Sequence, residues 1–129
     1  MKISTTLLFL LLATSAAFAG TKAVPVIYGK EAELDACPSG GEIKALTQNS
    51  TEDIILRAGP GEKFAVVTKL KIGQTFAMCD SKPGWIGIVV FPTLGNLCGV
   101  NTTLKKPKPY KGKCKSGWVA EQNVNQTSG

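Results

Sequence analysis

Four cysteines constrain this chain of 129 residues more than any other feature: Cys37, Cys79, Cys98 and Cys114. An even number of cysteines in a short chain forms either a metal site or two disulfides, according to the compartment in which the protein works. Structural zinc sites prefer pairs of cysteines separated by two residues, and no two of these four have that spacing. Whether the cysteines are expected to form disulfides therefore depends on whether the chain is exported.

The first residues have the pattern of a secretory signal peptide. Lys2 supplies a positive charge, residues 7–13 are apolar, and Ala17-Phe18-Ala19 is a small-residue cleavage site. The apolar segment is too short to span a bilayer comfortably. We therefore predict that residues 1–19 are a signal peptide and that the mature protein works in the periplasm or outside the cell.

In an oxidising compartment the four cysteines are expected to form two disulfides, for which three pairings exist. We favour Cys37–Cys79 together with Cys98–Cys114. The second bridge closes a short loop, and this leaves the first to tie down the N-terminal segment. On the loop-entropy account each bridge stabilises the fold by roughly 3–4 kcal/mol.

The composition excludes several classes of enzyme. The chain contains no histidine, so nucleophiles activated by histidine and histidine metal ligands are absent. Its length favours one domain, and a hydrophobic content of 43% is ordinary for a globular core. The formal charge of +6 becomes +5 once Lys2 is removed with the signal peptide.

After residue 20 the chain has no long helical period, and short apolar runs alternate with turn residues, as is typical of a small all-β domain. Residues 85–91 are apolar on both faces, which predicts a central strand covered on two sides. Residues 92–112 are the longest irregular stretch, and the Cys98–Cys114 bridge would hold them. Further strands are predicted over residues 53–57, 64–70, 74–80 and 114–120.

Five motifs follow one another between residues 54 and 120. A strand with Arg57 leads into Ala58-Gly59-Pro60-Gly61, and Phe64 precedes an apolar strand. Lys71-Ile72-Gly73, Gly84-Trp85 and Gly117-Trp118-Val119 complete the series. Together these motifs resemble the bacterial Src-homology-three-like domain, in particular an exported, single-domain, disulfide-bearing subset. The resemblance implies an all-β fold, a small and partly open five-stranded barrel, here with an N-terminal extension and a long disulfide-stapled loop.

The resemblance also divides the chain. Residues 1–19 are the signal peptide, and residues 20–50 are an N-terminal extension that packs on the barrel, whether or not it adds strands. Residues 51–124 form the barrel, and residues 125–129 are expected to be a disordered tail.

Related domains bind peptides or partner proteins in a groove lined by aromatic residues. Carried over by position, this implies that Arg57, Phe64, Trp85 and Trp118 contact a ligand. Tyr110, in the irregular stretch, is added from its own chemistry and matches no family motif. Packing inside the barrel is the competing interpretation for Trp85, and more so for Trp118.

A run of lysines with no acid between them occupies residues 105–115. Such a patch either docks on an anionic surface or is simply a solvated loop, stiffened here by prolines. The lysines are Lys105, Lys106, Lys108, Lys111, Lys113 and Lys115.

The only acidic groupings are Glu52-Asp53 and the set Glu31, Glu33 and Asp35, and both lie outside the expected groove. We therefore predict a protein that is not an enzyme and that uses no metal and no cofactor. The first hypothesis is an exported binding module that recognises a cell-wall peptide or fragment, such as a peptidoglycan peptide, through the aromatic groove. The alternative is a periplasmic protein-interaction factor, an inhibitor or immunity-type protein that binds a protein partner. Neither hypothesis involves nucleic acid, or stable membrane insertion after signal cleavage.

Overall fold

The computed structural model describes residues 21–129, and the predicted signal peptide lies outside these residues. Within them the chain is all-β, as predicted. The helical part is one three-residue 3-10 helix, so no helix in this range is long and apolar enough to cross a membrane. The strands are β1 Ile27–Tyr28, β2 Ser39–Ile43, β3 Ile54–Arg57, β4 Val66–Leu70, β5 Thr75–Lys82, β6 Trp85–Val90, β7 Lys108–Pro109, β8 Ser116–Ala120 and β9 Val124–Ser128, with the 3-10 helix Glu121–Asn123 before β9.

Seven strands form one antiparallel sheet in the order β4-β3-β8-β6-β5-β2-β9, and β1 pairs separately with β7. The sheet does not close, since β4 and β9 are its two edges. The predicted partly open β architecture is thus confirmed. The five strands that carry the sequence motifs are neighbours in the sheet, and β2 and β9 extend it beyond β5.

The ends of the chain take part in this sheet. The N-terminal extension contributes β2, which pairs with both β5 and β9. The prediction of a disordered tail over residues 125–129 is wrong, because Val124–Ser128 forms β9 along β2. This polar segment is ordered by backbone pairing, and its side chains past Val124 remain exposed.

Side chains of β6 alternate between two cores, one on each face of the sheet. Ile86, Ile88 and Val90 lie in an inner core made of strand residues. Trp85 and Val89 lie on the opposite face, in an outer core. The prediction that this strand is covered on two sides is therefore confirmed.

The outer core is covered by two irregular segments, the N-terminal arm (residues 21–37) and the insertion (residues 92–114). The arm and the insertion also bond to each other: the N–H groups of Ala36 and Cys37 donate to the carbonyls of Thr102 and Val100, at 2.8 and 3.2 Å. Cys37–Cys79 joins the arm to β5, and Cys98–Cys114 closes the insertion, which confirms the favoured pairing. Two disulfides in the folded chain indicate an oxidising environment.

Candidate functional site

Trp85 lies at the mouth of an open pocket of about 520 Å³ at one end of the β5–β6 hairpin. Pro83-Gly84 makes the two-residue connection of this hairpin, and Gly84 takes the positive φ of +79° that glycine favours. Trp85 is the first residue of β6, directly after the turn. Its side chain is half-buried, so part of its ring faces the pocket. The Glu121 N–H donates to the Gly84 carbonyl at 3.0 Å, which fixes the 3-10 helix beside the turn.

Two carboxylates flank the tryptophan. Glu62, Glu121 and Gln122 complete the pocket with Gly84, Trp85 and Ala120, and no basic side chain lines it. Glu62 and Glu121 are both exposed. An indole face next to two carboxylates and an amide can stack on an apolar or ring-shaped group while accepting hydrogen bonds from ammonium or amide N–H groups. We define these residues as the Trp85 pocket.

Arg57 and Phe64 shape the loop that carries Glu62. Arg57 Nη1 donates to the Phe64 carbonyl at 3.1 Å, and the Ala58 N–H donates to the Ala65 carbonyl at 2.8 Å. The Phe64 ring is buried against Gly59, where any Cβ would collide with it. The ring closes the loop from inside, and contact of Phe64 with a ligand stays a prediction. Arg57 is half-buried and holds the same loop.

Trp118 belongs to the outer core. It is fully buried, and its Nε1–H donates to the Val24 carbonyl of the arm at 2.7 Å. The indole thus fastens the arm to the sheet, which agrees with the packing interpretation of Trp118.

Tyr110 is also buried, and its contact with a ligand stays a prediction. Its hydroxyl donates to the Cys98 carbonyl at 3.0 Å and accepts from the Cys114 N–H at 3.4 Å, and its ring meets Tyr28 edge-on at 5.4 Å. Burial raises the pKa of the Tyr110 hydroxyl, because it disfavours the charged phenolate. Tyr110 therefore stabilises the insertion around its disulfide.

Asp80 is the buried acid of the described chain, and it is not among the site residues predicted from the sequence. Its side chain is 2% exposed and pairs with Lys30. It also accepts hydrogen bonds from the N–H groups of Ile27 at 3.0 Å and Ser81 at 2.9 Å. Lys30 and Ile27 belong to the arm, so this carboxylate anchors the arm to β5. A signal was present, since Asp80 follows four apolar residues, 76–79, in the same strand.

The predicted lysine patch is exposed along its whole length. Neither of the two ion pairs found in residues 21–129 involves any of its members. Lys108 lies over the Tyr28 ring, 5.8 Å from its centre. The structure therefore leaves the positive charge of this patch facing solvent, on Lys105, Lys106, Lys108, Lys111, Lys113 and Lys115.

Comparison of the chain with protein-family models, with curated proteins and with solved structures finds no match in any of the three.

Proposed function

We propose that the protein is an exported binding module, without catalytic activity, that recognises a cell-wall peptide or fragment at the Trp85 pocket. The observation that carries this proposal is the half-exposed indole between the carboxylates of Glu62 and Glu121. The order of the five sequence motifs, which resembles the bacterial Src-homology-three-like domain, and the adjacency of their strands support it. Export to the periplasm or the cell exterior is part of the proposal, supported by the signal-like N-terminus and the two disulfides.

The pocket favours a ligand with an amine or several amide N–H groups. Its two carboxylates accept hydrogen bonds and attract cations, whereas an anionic group would be repelled. Wall peptides offer such groups. The broad groove expected from the sequence is reduced to this one pocket, because Phe64, Tyr110 and Trp118 are buried.

The proposed absence of catalysis is supported by the surroundings of the acidic residues. Asp80 is buried but engaged by Lys30 and by two backbone N–H groups. Glu62 and Glu121 are exposed on flexible side chains, and no histidine is available to relay a proton. The absence of catalysis is tested by incubating wall fragments with the protein and analysing the products by mass spectrometry. Any new cleavage product would contradict it.

The binding proposal is tested by co-sedimentation with purified peptidoglycan at low and high salt. Recognition through stacking and short hydrogen bonds survives salt, whereas attraction to the exposed lysines is screened. We expect Trp85→Ala to weaken binding by about tenfold, as truncating a central aromatic contact commonly does. We expect little change in melting temperature, because the ring is half-exposed.

Phe91→Ala is the matched control. Phe91 is also half-buried and packs on the outer core, but it lies at the opposite end of the β5–β6 hairpin. Equal loss of wall binding in both variants would contradict a site at Trp85. Absence of wall binding at either salt concentration would contradict the proposal and favour the protein-partner alternative.

One observation favours that alternative, a periplasmic inhibitor or immunity-type protein. Strand β4 is an edge of the main sheet, and Val66 and Val67 on it are well exposed. An open edge with apolar side chains is a surface to which a partner strand can add. Val67→Lys should then abolish capture of a specific exported protein that the wild type retains, while leaving the fold intact.

A further inference from the structure

The end of the β5–β6 hairpin opposite Trp85 carries exposed apolar side chains. Leu94 is 97% exposed, Ile72 63% and Leu97 43%. Ile72 and Leu94 line one open depression with Phe91, and Leu94 and Leu97 line the next one, again with Phe91. These four residues, Ile72, Phe91, Leu94 and Leu97, form what we call the leucine surface. Neither depression is lined by an acidic residue.

The second disulfide places lysines beside the leucine surface. Cys98 follows Leu97, and its partner Cys114 stands between Lys113 and Lys115, with 5.8 Å between the two Cα atoms. The Lys115 carbonyl accepts from the Val90 N–H at 2.9 Å, next to Phe91. Lys71 lies in the same depression as Ile72 and Leu94. Lysines therefore border the apolar side chains on two sides.

The positive charge of this region is not offset along the chain. No Asp or Glu occurs between residues 81 and 120, while seven lysines do: Lys82, Lys105, Lys106, Lys108, Lys111, Lys113 and Lys115. No arginine occurs in that stretch either. Lysine acts as a hydrated point charge without the fork geometry that arginine uses for defined anions, so it suits a diffuse anionic surface.

We propose that the leucine surface and its bordering lysines dock the protein on an anionic lipid surface. Leu94 enters the boundary between headgroups and acyl chains, while Lys71, Lys113 and Lys115 face the headgroup phosphates. Peripheral proteins bind in this way, with buried apolar area and electrostatic attraction adding to each other. Leu94 stands almost free of the protein on a loop and lines no deep groove, which favours a soft surface over the shaped partner that a protein would present.

Docking in this orientation leaves the Trp85 pocket open. The six residues of β6 separate the two ends of the hairpin by about 20 Å. The proposal is therefore independent of the proposed function, and Trp85→Ala should bind lipid as the wild type does.

The test is co-sedimentation of the oxidised chain from Gly20 onward, which contains both cores and both disulfides, with lipid vesicles. Vesicles of phosphatidylcholine alone are compared with vesicles that also contain phosphatidylglycerol, at low and high salt. We expect binding to the mixed vesicles only, weakened by salt. Leu94→Ser should lower the partition coefficient by about tenfold, and Lys113→Gln with Lys115→Gln by about fivefold for each lysine.

Matched controls exist on the same chain. Leu46 is 50% exposed, and Leu46→Ser should leave vesicle binding unchanged. Lys22→Gln with Lys63→Gln removes the same charge from exposed positions outside the leucine surface and should have only a small effect. Leu94 is nearly fully exposed, so its replacement tests docking without disturbing the fold.

Three results would overturn the proposal. The first is failure of the wild type to bind the mixed vesicles at low salt. The second is equal loss of binding in the variants and in their matched controls. The third is binding to soluble polyglutamate that needs Lys113 and Lys115 but not Leu94, without vesicle binding, which would assign the surface to an acidic protein.

Discussion

The two faces of the seven-stranded sheet are covered by different kinds of structure. Every buried residue of the inner core lies in a strand, and all of them are aliphatic or phenylalanine. In the outer core, half of the buried residues come from the irregular arm and insertion: Val26, Cys37, Val100 and Tyr110. The segments that cover the second face therefore have little regular backbone pairing of their own, apart from the short β1–β7 pair.

The difference shows what irregular chain needs in order to cover a sheet. Strands satisfy one another's backbone groups, so apolar side chains alone complete the inner core. The arm and the insertion instead depend on polar anchors from the sheet and from each other, namely Trp118, Asp80 and Tyr110. Both disulfides also lie in this layer. Their removal should therefore weaken the outer core selectively.

The largest effect is expected from the bridge between the arm and β5. Cys37→Ala with Cys79→Ala opens a loop with a sequence separation of 42 residues and should lower the free energy of unfolding by about 4 kcal/mol. Cys98→Ala with Cys114→Ala opens a separation of 16 residues and should cost about 3 kcal/mol. Urea unfolding of both variants measures the two values.

Hydrogen exchange on the same variants locates the damage. We expect lost protection in the arm and the insertion, and retained protection in β6 and β8, as long as the sheet stays folded. Uniform loss of protection across both cores would show that the outer layer and the sheet unfold as one unit. That result would contradict selective weakening of the outer core.

The next effect separates a buried ion pair from an exposed one. Asp80→Asn removes the charge that holds Lys30 and the Ile27 N–H, and it should cost about 2 kcal/mol, because a nearly buried group loses charged hydrogen bonds. Asp53→Asn is the control, since Asp53 pairs with Lys69 at 3.0 Å with both side chains mostly exposed. Such a surface pair contributes about 0.5 kcal/mol. Urea unfolding compares the variants, and equal losses would argue against an anchoring role for Asp80.

The inner core was largely predictable from the sequence, and the outer core was not. Strand β6 showed apolar residues on both faces, and loop length favoured the observed cysteine pairing. The partners of Trp118 and Tyr110 were not predicted, because a short irregular arm has no periodicity that indicates where it lies. The hydrogen bond from Trp118 to the Val24 carbonyl spans 94 residues of chain, and such contacts leave no local pattern.

The C-terminal segment was misjudged for a related reason. Its polar composition indicates fraying when it is considered alone. In the folded protein β9 completes the edge beside β2, so its backbone pairing depends on a segment some eighty residues earlier. The Asn125 side chain also donates to the Glu42 carboxylate. The Trp85 pocket, by contrast, follows from a local turn, and Trp85 is the aromatic residue of the predicted groove that remains accessible.

The smallest effect concerns the pH dependence of the outer core. Burial raises the pKa of Tyr110, so its hydroxyl stays protonated in the folded protein at a pH where the unfolded chain has begun to lose that proton. This contribution to stability is therefore complete below the unfolded pKa of about 10 and declines as the pH rises above it. Tyr110→Phe should cost about 1 kcal/mol at neutral pH, through loss of the hydroxyl's hydrogen bonds to Cys98 and Cys114.

The gap between Tyr110→Phe and the wild type should narrow as the pH rises toward about 11, because the variant has no phenol to titrate at this position. Urea unfolding of both proteins at several alkaline pH values measures this gap. Tyr28→Phe is the matched control, since its half-buried ring meets Tyr110 edge-on from the arm side. A gap that stays constant with pH would show that the Tyr110 hydroxyl has the same pKa in the folded and in the unfolded protein. The outer core would then not shield this hydroxyl from water.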